Sequence, residues 1–287
     1  MSISTLSLLV GPVVPVAVTA DVSEALERVE IESAIGERGS FRLTFNLEDR
    51  STLPERFLLD SGDLLRVVLV LNEEGTTSVV MDGVMVVHTL STLERKPSLV
   101  ISGEDLTLLM DQVDVVRSFS AMPLQARVTL LLSAYSAIGV VPLVVPPPVP
   151  STPAPADRIP HQSGTDYAYI RALADSVGFR FTLDPGPAPA SSVAYWGPEP
   201  RADRAHPALV IDFERPHGID ALQLSFDADR RVAPEALVLD PASKSVIPVP
   251  APNITALVPP LGAVVPPAHQ HRRLRDTAKL TPIEAAS

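Results

Sequence analysis

The sequence predicts a mainly β protein of the α+β class, with a strand-built domain near each end and small α/β segments between them. Three observations carry this. Apolar and polar side chains alternate over short runs near both ends of the 287 residues, as they do in half-buried strands. Proline outnumbers glycine 30 to 14 and charged residues make up only 20%, a composition of short strands and stiff turns rather than long helices. Finally, Ser163 to Leu183, SGTDYAYIRALADSVGFRFTL, reads as a capped amphipathic helix that stops at a glycine and passes straight into a strand.

From the N-terminus, the stretch MSISTLSLLVGPVVPVAV is apolar enough to suggest a secretory signal. It lacks a Lys or Arg in its first residues and carries Pro12 and Pro15, so Val13 to Val18 is expected to begin the first strand instead. Val29 to Ala34 and Phe41 to Leu47 alternate, with Phe41, Leu43, Phe45 and Leu47 on one face. A turn at Asp60 to Asp63 leads to a hairpin, Leu64 to Leu71 and Val79 to Thr89, and Ser98 to Ser102 supplies a further strand. Such a meander favours a small closed barrel, because closure removes exposed edges.

Beyond Gly103 the pattern changes. Glu104 to Met110 reads as one or two helical turns, and Pro123 to Ile138 as a helix ended by Gly139, with Leu124, Val128, Leu131, Leu132 and Tyr135 as its apolar stripe. Pro146 to Pro160 is too proline-rich for regular structure. In the next helix Thr165 or Asp166 can cap; Tyr167, Ile170, Leu173, Ala174 and Val177 form one face; Gly178 ends it. Phe179 and Phe181 then alternate with Arg180 and Thr182. Short strands follow at Val193 to Trp196, Ala208 to Phe213, Ala221 to Asp227, Ala236 to Leu239 and Ser245 to Val249, and Thr281 with Pro282 opens a terminal helix. The domains are therefore a first β-barrel at 1–102, a helical segment at 103–145, a linker at 146–162, a small α/β domain at 163–215, and a second, barrel-like and incomplete domain at 216–287.

A formal net charge of -11 and a pI near 5.0 argue against gripping a phosphate backbone. The one basic cluster, His269 to Arg275 (HQHRRLR), has no interleaved aromatics and suits a solvated loop or an acidic protein partner. The chain has no cysteine, which removes disulfides, thiolate nucleophiles and cysteine-bearing zinc sites. No apolar run reaches the roughly 18 residues of a membrane span.

Chemistry is sparse. Leu58-Leu59-Asp60-Ser61-Gly62 matches the form of an aspartic protease loop, but one copy alone would need a homodimeric site, and Asp, Ser and Gly are ordinary turn residues. His88, His161, His206, His217, His269 and His271 include no helical i, i+4 pair, and His88 reads as a satisfied strand residue. No nucleophile elbow, phosphate loop or dinucleotide fingerprint occurs. No metal, cofactor or catalytic residue is expected.

Four patterns together carry a family resemblance: SGEDLTLLMDQ (Ser102 to Gln112) after a strand-rich domain, the helix MPLQARVTLLLSAYSAIGV, then TDYAYIRALADSVGFRFTLD, then AYWGPEP. The chain resembles the baseplate hub family that includes phage late control protein D, the N-terminal half of VgrG spike proteins and the hubs of contractile injection systems. That resemblance implies a non-enzymatic homotrimeric ring of two like barrels per subunit, adapting a threefold spike to a sixfold tube. It also implies a spike and an inner tube or tube-adaptor protein as partners, and residence in the cytoplasm during assembly and then in the baseplate. No spike-type repeat is present, so the spike would be a separate chain. The strand faces expected at subunit contacts are Phe41, Phe45, Val67 and Leu69, with Leu222, Leu224 and Phe226. The alternatives are a homodimeric aspartic peptidase using Asp60 and a secreted β-rich binding protein.

Overall fold

The computed structural model describes residues 4–12, 14–34, 36–47, 64–73, 75–92, 96–148, 152–156, 158–199, 223, 225, 232–240, 243–250, 270–274 and 277. The chain divides into two compact units, residues 1–146 with 152–199, and residues 147–151 with 200–287. It is mainly β.

The first unit opens with β1 (Ser4–Gly11), β2 (Val16–Ala17), helix α1 (Ala20–Ala25) and β3 (Leu26–Glu32), followed by β4 (Ser40–Asn46), β5 (Arg66–Glu73), β6 (Thr76–Ser91) and β7 (Ser98–Asp105). These strands form one antiparallel sheet in the order β2-β1-β5-β6-β7-β4-β3. The first strand therefore starts at Ser4, not at Val13, and the apolar N-terminal stretch is β1, paired along its length with β5. Among the described residues the sheet does not close: β2 and β3 are its two edges. The chain passes from β2 to β3 through α1, whose Val22 and Ala25 are buried in the sheet's core.

That core gathers Leu8, Phe41, Leu43, Phe45, Val67, Leu69, Met81, Met85, Leu99 and Ile101 on the inner face, as period-2 alternation requires. β5 is different, because Arg66 to Val70 are buried without a break. A strand buried on both faces needs a second cover.

The outward side chains of β5, Val68 and Val70, pack with Val79 and Leu9. The rest of the same unit is an α/β part. It comprises α2 (Thr107–Met110), β8 (Val115–Ser118), α3 (Leu124–Ser133), a 3-10 turn (Ser136–Ile138), β9 (Val140–Val144), β10 (His161–Gly164), α4 (Asp166–Ser176), β11 (Arg180–Pro185) and β12 (Ser192–Gly197). β10 pairs with β8, and β11-β12-β9 forms a three-stranded sheet with β9 parallel to β12. Thr165, rather than Asp166, caps α4, accepting a hydrogen bond from the Ala168 amide at 3.2 Å. Gly178 leaves the helix at φ +68° and Gly139 ends the 3-10 turn at φ +85°, conformations that glycine adopts without a Cβ clash. Leu106, Met110, Val128, Leu131, Leu132, Ile170, Phe179 and Trp196 form the second core, and Val84 of β6 joins it from the other side of the sheet. Phe179 meets Trp196 edge-on with centroids 4.9 Å apart, and the Trp196 indole donates to the Ile170 carbonyl at 3.3 Å.

The second unit shows β13 (Val232–Leu239), β14 (Val246–Pro250) and β15 (Gln270–Arg273) in the order β14-β13-β15. Ala236, Val238 and Val249 are its buried apolar residues. The basic segment expected as a loop is strand β15, all four residues of which are exposed. The strands expected at Ala208 to Phe213 and Ala221 to Asp227, and the terminal helix, lie on residues outside those described or largely so.

Gly103 is the tightest point of the first sheet. It faces Phe41 and Met85 in register, and a Cβ there would lie 2.2 Å from the Val84 carbonyl oxygen and 2.4 Å from Phe41 Cζ. Gly103→Ala should destabilise the protein by about 1–3 kcal/mol through overpacking. Adding Phe41→Leu should recover part of that loss, read as non-additive denaturation midpoints in a double-mutant cycle.

Candidate functional site

The two segments that stand out in the sequence, Ser102 to Gln112 and Ser163 to Leu183, meet in the structure. Their meeting place is the joint between the first sheet and the α/β part. β7 ends at Asp105, whose carboxylate accepts from the Thr107 amide at 2.9 Å, from the Thr107 hydroxyl, and from the Gly39 amide at 2.7 Å. These bonds tie the start of α2 to the end of β7 and clamp the β3–β4 loop to it.

Arg38, in that loop, reaches across. Its guanidinium donates to Glu104 at 2.6 Å, to Asp111 at 2.8 Å and to Thr107 Oγ1 at 3.1 Å, and it lies 4.7 Å over the Tyr167 ring of α4. Arg171 approaches the same ring at 5.4 Å. The Thr165 hydroxyl donates to Asp111 at 2.6 Å, so the residue that caps α4 also ties α4 to α2. Directly behind, Asp166 accepts from Gln162 at 2.5 Å and from the Tyr135 hydroxyl at 2.9 Å. Burial, and then the hydrogen bond to Asp166, push the Tyr135 phenol well above its ordinary pKa.

The second anchor is buried. Arg66 of β5 and Asp82 of β6 form a bidentate ion pair at 2.7 and 2.6 Å, with side chains 4% and 0% exposed. A spare Arg66 N–H donates to the Ile138 carbonyl at 2.8 Å, and the Ser192 hydroxyl donates to Asp82 at 2.9 Å. Two charges of the sheet are thereby matched to the 3-10 turn and to β12. The sequence reading missed both residues, although each is the lone charge in an apolar run, LLRVVLVL and VVMDGVMVV, on facing strands of one hairpin.

The residues expected at subunit contacts lie elsewhere. Phe41, Phe45, Val67 and Leu69 are in the inner core at 3%, 0%, 1% and 0% exposure, covered by their own chain. Leu222, Leu224 and Phe226 lie outside the described residues, as does Asp60. The large apolar side chains that do reach solvent in the first unit include Val86, Val87 and Leu90 of β6 and Val141 and Leu143 of β9. A register shift between Met85 and Val87 turns two successive valines outward. His88 is half-buried in β6, and His161 contacts the Ser118 hydroxyl at 3.0 Å. Among the described residues no three His, Asp or Glu side chains gather to hold a metal, and no helix is long and apolar enough to cross a membrane. The arrangement joins the first sheet to the α/β part through directional polar contacts.

Breaking the buried pair from one side, with Asp82→Asn or Arg66→Met, should cost about 3–5 kcal/mol because a charge stays buried without its counter-ion. Replacing both with apolar residues should cost less than the sum, measured by chemical denaturation. The joint should also respond to acid. The Thr165 hydrogen bond, and then Arg38, hold the Asp111 carboxyl below its ordinary range, against the opposing effect of burial. Its stabilisation is complete above the unfolded value of 3.8 and is lost as pH falls through the lowered folded value. Burial raises the Asp105 carboxyl, only partly offset by its Thr107 and Gly39 hydrogen bonds and by Arg38. Its ionisation costs stability above the raised value, and that cost vanishes on acidification. Asp111→Asn should therefore lower stability near neutrality and flatten its acid limb, whereas Asp105→Asn should not flatten it, in urea titrations from about pH 7 down to about pH 3.

No protein-family model matches the sequence, and no curated protein sequence matches it. In fold the chain is similar to the tail protein from Neisseria meningitidis MC58, with a TM-score of 0.56 and 17% identity over 99% of this chain and 74% of that one. It is also similar to the 43 kDa tail protein of prophage MuSo2 from Shewanella oneidensis, at 0.52 and 13% over 98% and 74%. A third likeness is to a chain of the half-lidded Francisella PdpA-VgrG complex, at 0.50 and 10% over 94% and 44%. At these identities the likeness is one of fold.

Proposed function

We propose that this chain is a structural protein of a phage tail or contractile injection machine, acting as a baseplate hub. Three copies form a ring that holds a spike on one face and an inner tube or its adaptor on the other, and so adapts threefold to sixfold symmetry. The strand-rich regions at the two ends of each copy act as like barrels in that collar, and the ring passes from the cytoplasm into the assembled baseplate. The observation that carries this reading is the extent of the fold likeness: 99% of the chain follows a bacterial tail protein and 98% a prophage tail protein.

The joint supports the same reading. A part that transmits force needs its pieces fixed by directional contacts, and Arg66, Asp82, Arg38 and Asp111 supply them. Closed rings leave no unmatched surface in their own plane, which suits a fixed copy number.

The test is oligomeric state. Mass measurement in solution should give three times 30.6 kDa, with threefold symmetry in particle images and no hydrolytic activity. A monomer at every concentration reachable would overturn the proposal, and loss of a pepstatin-sensitive activity in Asp60→Asn would replace it with the peptidase.

A further inference from the structure

The outer face of the first sheet carries a groove of about 370 Å³ lined by Glu30 and Glu32 of β3, Ser40, Phe41 and Arg42 of β4, Ser102, Gly103 and Glu104 of β7, and Val86 and Val87 of β6. Strand register explains its shape. Glu30, Arg42, Ser102 and Val87 form one transverse row, and Glu32, Ser40 and Glu104 form a second. Small residues make the floor at Ser40, Ser102 and Gly103. Glu30 and Glu32 stand along the β3 wall and two exposed valines along the β6 wall, with Glu104 on β7 between them. Glu30 is paired with Arg28 and Glu104 with Arg38, at 2.7 and 2.6 Å.

The net charge of the molecule is unevenly placed. Residues 1–199 hold 13 Lys and Arg against 24 Asp and Glu, whereas residues 200–287 hold 10 of each. The whole formal charge of -11 thus belongs to the first unit. In the second unit, β15, Gln270 to Arg273, is exposed and lies at the edge of its sheet among the described residues, and it is continued by Leu274, which is 47% exposed. Side chains two apart on a strand share a face, so Arg272 and Leu274 present one cation and one apolar group side by side. The groove offers the complementary pair, an acidic wall and an apolar wall.

We propose that this groove receives the Arg272–Leu274 face of β15 from a second copy, with Arg272 toward Glu32 and Leu274 toward Val86 and Val87. This rests on the ring reading above. It makes the contact heterologous, with a different surface on each partner, as a threefold ring requires. Charge complementarity sets which surfaces meet, and the valine wall supplies apolar contact.

A charge swap in the full chain tests it. The wild-type protein should be a trimer by solution mass. Glu32→Arg and Arg272→Glu should each weaken association by about tenfold or more, and the double variant Glu32→Arg/Arg272→Glu should restore the trimer. Arg273→Glu, on the opposite face of β15, should leave it intact, and Val87→Asp should disrupt it. Circular dichroism of each variant separates lost association from lost fold. A wild-type monomer would overturn the ring itself. A wild-type trimer that survives both single reversals would overturn only this contact and leave the groove to another partner or to none. Disruption without rescue in the double variant would overturn it equally.

Discussion

The constraint on which the first unit depends is that β5 is buried on both faces. Its inner side chains, Val67 and Leu69, belong to the sheet's own core, while Val68 and Val70 face the other way. A sheet apolar on both sides must be covered on both sides, and apolar cover alone is indifferent to where it sits. The Arg66–Asp82 pair removes that indifference. Desolvating two charges is costly, and the cost is offset only when good geometry is joined by hydrogen bonds to the remaining donors and acceptors. Here those bonds come from Ile138 and Ser192, which belong to the α/β part. The pair is therefore best satisfied in one docked position, and sliding the α/β part along the sheet would strand a buried guanidinium N–H and part of a carboxylate. The ion pair sets the register of the contact.

A single anchor would still allow rotation. The Arg38 cluster is a second, more solvent-exposed anchor on a different loop, and Asp111 links it through Thr165 to the start of α4. Exposed ion pairs are individually weak, but this one is a network. One guanidinium makes three hydrogen bonds and lies over a Tyr ring, and its partners lie on β7, α2 and α4. Two anchors at separate places fix orientation as well as position. This explains why SGEDLTLLMDQ stands out in the sequence without resembling a catalytic motif: its Glu104, Asp105, Thr107 and Asp111 are the acceptors and donors of the joint, and its Leu106 and Met110 are core.

What could be read from the sequence was what is local. The Thr165 cap, the Gly178 exit, the Gly139 stop and the alternation of FRLTFNL depend on neighbours within a turn or two, so residue type and spacing suffice. The joint is not local. Arg66 lies 72 residues from Ile138, and Asp82 lies 110 from Ser192, distances over which spacing carries no information. Helix α1 is not legible in the sequence because six residues, ADVSEA, are too few to show a 3.6-residue period. QHRR shows no apolar alternation and so reads as a loop; the ladder to β13, not its side chains, makes it strand β15.

The prolines that suggested stiff turns have a second role. Pro142 lies within β9 and Pro248 within β14, both edge strands of their sheets among the described residues. β3, an edge of the large sheet, carries Arg28, Glu30 and Glu32 along its length. Proline withholds a ladder hydrogen bond, and charged side chains oppose the flat pairing of one edge on another. A protein rich in short strands and free edges would otherwise polymerise by adding strands without limit. Edges blunted in this way leave the side-chain faces as the surfaces by which copies can meet. A face can be made specific by charge and shape where a backbone ladder cannot, and a heterologous face stops an assembly at a fixed number of subunits when the rotation it imposes closes a ring.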